Sequence, residues 1–210
     1  MTHYGKIDLL WFDGCDQPNL KSYPYKSLLW NAAELEVKIR RAQPGIMLNN
    51  RSGMHADFST PEQEIPRNGP LEELQECCLT TSRCWGYAKN DPCREFGAIV
   101  GDLTACACNG VNLLLNVSPD QEGDIPADQR AALSRAGAWL RRNGEAFYGT
   151  ERQLPPWWEH NSCGPVSTKG LTAYLFLQRY PEDGVVILGK FDNHYKRAFV
   201  LSTGQELRVR

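Results

Sequence analysis

No stretch of this 210-residue chain approaches the ~20 apolar residues of a membrane-spanning helix, which leaves out that kind of anchor. No run of one charge sign exists either. With 23 basic residues against 25 acidic and a formal net charge of -2, neither nucleic acid nor an anionic membrane is an expected partner. The eight cysteines form no paired Cys-x-x-Cys motif, and no histidine stands at ligand-like spacing from them, so a zinc site is not expected. Small apolar filler, or one or two disulfides if the protein is exported, are the uses left open. The segment Met1–Lys6 lacks the charged-then-apolar order of a signal peptide, which taken alone points to the cytoplasm. The chain nevertheless opens almost directly into an apolar strand, as the middle of a longer protein does. A secreted, periplasmic or lysosomal full-length parent therefore stays open.

What is present suffices for a core: 41% of residues are hydrophobic and 23% charged. The run Ile7-Asp8-Leu9-Leu10-Trp11-Phe12-Asp13-Gly14 reads as a buried strand that stops at an acid. After a polar loop from Cys15 to Pro24, apolar residues at helical spacing predict a helix over roughly 27–42, stopped by Pro44-Gly45. Ile46–Arg51 reads as a second strand, giving a parallel, right-handed strand-helix-strand unit. Residues 52–69 carry no periodicity and read as a long functional loop. A strand near Glu76–Thr81, a helix over about 94–106, a strand at Val111–Val117 and a helix over Ala127–Arg142 follow.

These elements amount to about four strand-helix repeats, half of what a closed (β/α)8 barrel needs. The composition changes after Tyr148. Leu154-Pro155-Pro156-Trp157-Trp158 looks like a linker, and strands expected at 171–179, 184–191 and 197–209, without helices between them, signal an antiparallel β unit. The formal sequon Asn116-Val117-Ser118 lies in an apolar strand and reads as chance.

In parallel sheets, groups at the carboxyl ends of strands face the functional crevice. Asp13 ends the first strand, and the loop after the second carries Asp57, Glu62 and Glu64, so an acid from each falls on one rim. A turn-forming Asp and a solvated loop carboxylate are the plain alternatives. Paired carboxylates on one cleft suit glycoside hydrolysis, by retention at a separation of about 5 to 5.5 Å and by inversion at about 6.5 to 9.5 Å.

The residues themselves resemble a family. Tyr4-Gly5-Lys6-Ile7-Asp8 runs into Trp11-Phe12-Asp13-Gly14, and Asn49-Asn50-Arg51 and Asp57-Phe58-Ser59-Thr60-Pro61-Glu62-Gln63 follow. Then come Trp85-Gly86-Tyr87 and Asn112-Leu113-Leu114-Leu115-Asn116-Val117-Ser118-Pro119, with Gly123 and Ile125. In this order the motifs are similar to the α-L-fucosidases, retaining glycosidases with a (β/α)8 barrel and a C-terminal β-sandwich.

The resemblance implies Asp13 as nucleophile and Glu62 as acid/base. It implies Arg51 on the sugar or the carboxylates and Trp85 against the C6 methyl of fucose, while alternation along the strand turns one of Trp11 and Phe12 toward the barrel interior, and we take Trp11 as the substrate-binding one. It gives Glu76 a structural part, although Gln75 stands where the family has tryptophan. Neither a metal nor an organic cofactor is called for.

The histidine-rich motif of the family's first strands is missing, and none of His3, His55, His160 or His194 stands in such a setting. The expected fold is therefore α/β, the C-terminal half of a (β/α)8 barrel at 1–148, a linker or docking segment at 149–170 and an incomplete antiparallel β-sandwich at 171–210. The expected function is hydrolysis of α-L-fucosides with retention on a fucosylated glycan substrate, with little activity unless a missing N-terminal half or a second copy completes the pocket. A catalytically silent fragment, a fucose-glycan-binding remnant, or a retaining glycosidase acting on another sugar are the alternatives.

Overall fold

The computed structural model describes residues 3–13, 25–54, 56–66, 74–152, 163–188 and 194–209. The loop 15–24, His55, the Pro-Pro-Trp-Trp segment, His160 and the end of the 184–191 stretch lie outside them.

Strands β1 (Leu9–Leu10), β2 (Met47–Leu48), β3 (Phe58–Ser59), β4 (Leu74–Thr80) and β5 (Val111–Asn116) run parallel. They lie side by side in chain order, because a parallel bridge from Asn49 to Phe58 joins the β1–β2 pair to β3–β4–β5. The fourfold strand-helix count thus missed a strand. β3 is two residues long, too short to display an alternation, and so it hides in the stretch read as loop.

Helices cover one face. The single helix expected over 27–42 is two, α1 (Tyr25–Leu29) and α2 (Ala32–Ala42), broken where Asn31 turns left-handed at φ 47°. α2 carries a Glu34–Lys38 pair one turn apart and ends on Arg40 and Arg41, which suits the negative pole of its dipole. Its buried Ile39 packs with Phe12, Ile46 and Leu48, closing the first core.

β4 alternates strictly. Cys77 and Leu79 point under α3 (Phe96–Cys108), where they meet Cys106 and Val111, while Glu76, Cys78 and Thr80 occupy the opposite face. α4 (Ala127–Asn143) begins at Pro126 and lays Ala132 and Ala136 on Ile99 of α3. These small residues let the two helices approach closely. The buried side chain of Gln129 accepts the Ser118 amide at 3.0 Å, tying α4 to the chain leaving β5.

Past α4, β6 (Glu151–Arg152), β7 (Val166–Lys169) and β8 (Thr172–Leu175) form an antiparallel sheet, and β9 (Ala198–Phe199) pairs with β10 (Glu206–Leu207) as a hairpin. β6 and β7 fall within the 149–170 stretch. The strand expected from Gly184 is not formed over 184–188, where Val185 and Ile187 are exposed and no neighbouring strand accepts their backbone. The seven described cysteines are free thiols. Burial pushes Cys108 up to about 12, and Cys106 rises beyond the thiol range through its hydrogen bond to Cys77 and then burial. Both therefore act as small apolar filler. Among the described residues no helix is long and apolar enough to cross a membrane, and no cluster of metal ligands occurs.

Candidate active site

Three consecutive residues at the end of β2 assemble the site, each with a different hydrogen-bonding task. Asn49, fully buried, accepts the Phe12 amide at 2.7 Å and donates to the Phe12 carbonyl at 3.0 Å. Its side chain thereby extends the β1–β2 ladder and fixes the backbone immediately before Asp13. Asn50 accepts from both the amide and the hydroxyl of Thr60, pinning the loop that leads to Glu62.

Arg51 then reaches across. Its Nη1 lies 3.1 Å from Asp13 Oδ1 and its Nη2 2.6 Å from Glu62 Oε2, so one guanidinium holds both acids. The arginine is itself held: Nε donates to Thr60 Oγ1 at 2.9 Å, and the guanidinium lies over the Trp11 ring at 4.4 Å. Burial works against its charge. The Glu62 hydrogen bond, with the nearby Cys78, Glu62 and Asp13, outweighs that and pushes its proton affinity higher still.

Glu62 reaches this position through its backbone. The Pro61–Gln63 segment lies beside β4 as a parallel bridge, with Cys78 N donating to Pro61 O and Gln63 N to Cys78 O, both at 3.0 Å. That register sets Glu62 opposite Cys78. Gln63 closes the turn at φ 55°, a left-handed conformation that a non-glycine residue seldom adopts.

The two rival acids of the loop stand elsewhere. Asp57 accepts from Arg40 at 2.9 Å and from the Leu48 amide at 2.8 Å, which binds it to the α2–β2 side. Glu64 is exposed, and its backbone carbonyl accepts from the Cys77 thiol.

Trp11 and Phe12 diverge as strand alternation requires. Phe12 is buried edge-on to Trp30, and Trp11 faces the site, its Nε1 donating to Glu76 Oε1 at 3.0 Å. Asp13, Arg51, Glu62 and Trp11 are thus brought together. Trp85 is not joined to them by any described contact. It sits in the turn beyond β4, 41% exposed, with its carbonyl accepting from Asn116 at 2.8 Å. Sequence reasoning missed Asn49, Asn50, Thr60 and Cys78 as parts of the site. The doubled asparagine before an arginine at a strand end was the available signal. The cleft is open on one side, where the Asp13 side chain is 71% exposed against 14% for Arg51.

Known proteins resemble this chain in sequence and in fold. The chain is 28% identical over 199 residues to tissue alpha-L-fucosidase of Homo sapiens, a match covering 87% of this chain and 40% of that protein. To the alpha-L-fucosidase of Dictyostelium discoideum it is 29% identical over 197 residues, covering 86% and 40%. Alpha-L-fucosidase isoenzyme 1 from Paenibacillus thiaminolyticus superposes with a TM-score of 0.83 at 29% identity, covering all of this chain and 51% of that one. The chain thus spans about two fifths of the length of the curated relatives it matches. Residues 1–145 match the family model described as Alpha-L-fucosidase, and with these motifs in place the chain belongs to that family.

Proposed function

We propose that this chain carries the paired carboxylates for hydrolysis of α-L-fucosides with retention. In this reading Asp13, as carboxylate, attacks the anomeric carbon while protonated Glu62 gives its proton to the departing glycosidic oxygen. The result is a fucosyl ester on Asp13 and a free aglycone alcohol. Glu62, now a carboxylate, takes a proton from water, whose oxygen displaces Asp13 and releases fucose.

The single observation behind this reading is the shared guanidinium of Arg51 between Asp13 and Glu62. Oxygens held by one such fork lie within about 8 Å of each other, which accommodates the separation of about 5 to 5.5 Å that double displacement uses. Trp11 beneath Arg51 supplies an apolar face for a deoxy sugar, and this reading assigns a second such face to the part-exposed Trp85.

The same reading takes residues 1–148 as part of a (β/α)8 barrel, 149–170 as a docking segment and 171–210 as part of a β-sandwich. The open cleft beside Asp13 is then closed by further chain or by a second copy. Fucosylated glycans are the substrate class.

The test is turnover of an aryl α-L-fucoside by the chain and by Asp13→Gly, with the anomer of the first product read by NMR. Turnover with α-fucose formed first, and a loss of about a thousandfold or more in the variant, is the expected result. Equal activity in the variant, or β-fucose formed first, overturns the reading. The exposure of Asp13 favours one second reading, binding of fucosylated glycans without turnover, and measurable fucoside affinity in a protein that releases no product would establish it.

A further inference from the structure

Cys78 stands where the proposed reaction has no assigned use for it. It is 4% exposed, and β4 alternation turns it away from the apolar cluster of Cys77 and Leu79 and toward the carboxylates. Arg51 Nη2 donates to its sulfur at 3.2 Å, and the sulfur lies 4.0 Å from Glu62 Oε2. The same Nη2 therefore serves Cys78, Glu62 and, at 3.4 Å, the Thr60 carbonyl.

We propose that Cys78 is a positioning residue for Glu62: its sulfur gives Arg51 a second, uncharged acceptor, so that the arginine keeps its place whether Glu62 holds a proton or not. The inference rests on the reading of Glu62 as acid/base, since only a group that gains and loses a proton needs such a neighbour.

The choice of sulfur has a physical reason. A carboxylate at this position would keep Arg51 for itself, and a hydroxyl, the stronger donor, would favour the ionised form of Glu62. A thiol accepts weakly, donates weakly and stays neutral here. Burial raises its proton affinity, Arg51 opposes that, and Glu62 and Cys77 add to it. The groups around it are thus Arg51 from the end of β2, Glu62 from the loop beside β4, and Cys77 on β4 itself. Asp13 enters through its contact with Arg51, and Glu76 through Trp11.

The experiment observes Glu62 directly. In the whole chain, with glutamate carboxyl carbons labelled with carbon-13 and Glu62 assigned by its loss in Glu62→Gln, the titration midpoint of Glu62 is compared with those in Cys78→Ser and Cys78→Ala. A fall of about half a pH unit in the serine variant is expected, the size of one modest hydrogen bond, and a fall also in Cys78→Ala, where Arg51 loses its second acceptor and turns to Glu62, whereas a purely space-filling sulfur would leave the alanine midpoint where it is. A midpoint that is unchanged or raised in a folded alanine variant overturns the proposal.

If Cys78→Ala does not fold, the reciprocal measurement decides. With cysteine Cβ labelled, the Cys78 midpoint falls in Glu62→Gln if the two groups are coupled, and an unmoved midpoint overturns the proposal. Neither readout needs turnover. A chain inactive on fucosides yet showing the shift would count against the proposed reaction while leaving the Cys78–Glu62 coupling in place.

Discussion

At the scale of single residues, the site depends on groups that can do two things at once. Arg51 is the clearest case, because Asp13 and Glu62 accept from different nitrogens of one planar group. Lysine carries the same charge on a single point and cannot span both. Arg51→Lys is therefore expected to lower kcat/KM on an aryl fucoside by about a hundredfold, or about 3 kcal/mol of transition-state stabilisation. A variant within a factor of three of the parent would remove the fork from the mechanism. Asn49 is dual in another sense, as donor and acceptor to the same residue, Phe12, at a fully buried position. Asn49→Ala leaves both backbone groups unpaired and is expected to cost about 2 to 4 kcal/mol in urea unfolding. Residue type and spacing leave Asp57, Glu62 and Glu64 of the 57–64 loop alike, and in the sequence only the family resemblance points to Glu62. Contacts made by residues distant in the chain, Arg40 with Asp57 and Arg51 with Glu62, separate them.

At the scale of elements, α2 and β2 are joined through the Asp57 carboxylate, and this joint has a pH signature. Burial alone would raise its proton affinity, but the Leu48 amide and then Arg40 hold it below the usual carboxylate value. A group depressed in the folded state adds stability above its unfolded value, near 3.9, and that contribution disappears as pH falls through the lower folded value. Asp57→Asn should consequently lower the melting temperature at pH 7, and the gap from the parent should shrink below about pH 4. A gap that is constant between pH 7 and pH 3 would mean that the carboxylate contributes no charge-dependent stability. The antiparallel sheet has its own weak point at Gly164, which leads into β7 at φ 156°. A Cβ there would lie 1.8 Å from the Phe176 carbonyl oxygen, a backbone atom that cannot swing aside. Gly164→Ala should therefore destabilise β6–β8 by about 3 kcal/mol or more, visible as lost amide protection at Ser167 and Thr168 ahead of the rest of the chain. Elements with long periods, such as α4 and β5, were legible in the sequence almost to the residue. β3, with two residues, and the break at Asn31, which rests on one left-handed backbone, left no periodic trace.

At the scale of the molecule, five parallel strands in chain order place the ends of β1 and β2 and the loop after β3 at one rim, and the site lies there. Among the described residues β1 and β5 are the two edges of this sheet, and Leu9 and Leu114 on its strands are 43% and 44% exposed. Those open edges fit a chain that spans about two fifths of the length of its curated relatives. By itself the sequence determined the family, the α/β character, the helices that cover the sheet and the candidate acids, because motif order and hydrophobic period are properties of neighbouring residues. Only the tertiary structure decided that Asn49 extends the β1–β2 ladder, that Glu62 lies opposite Cys78 and that one arginine serves both carboxylates. Strand register and side-chain hydrogen bonds between distant segments set those facts, and no local pattern in the chain encodes them.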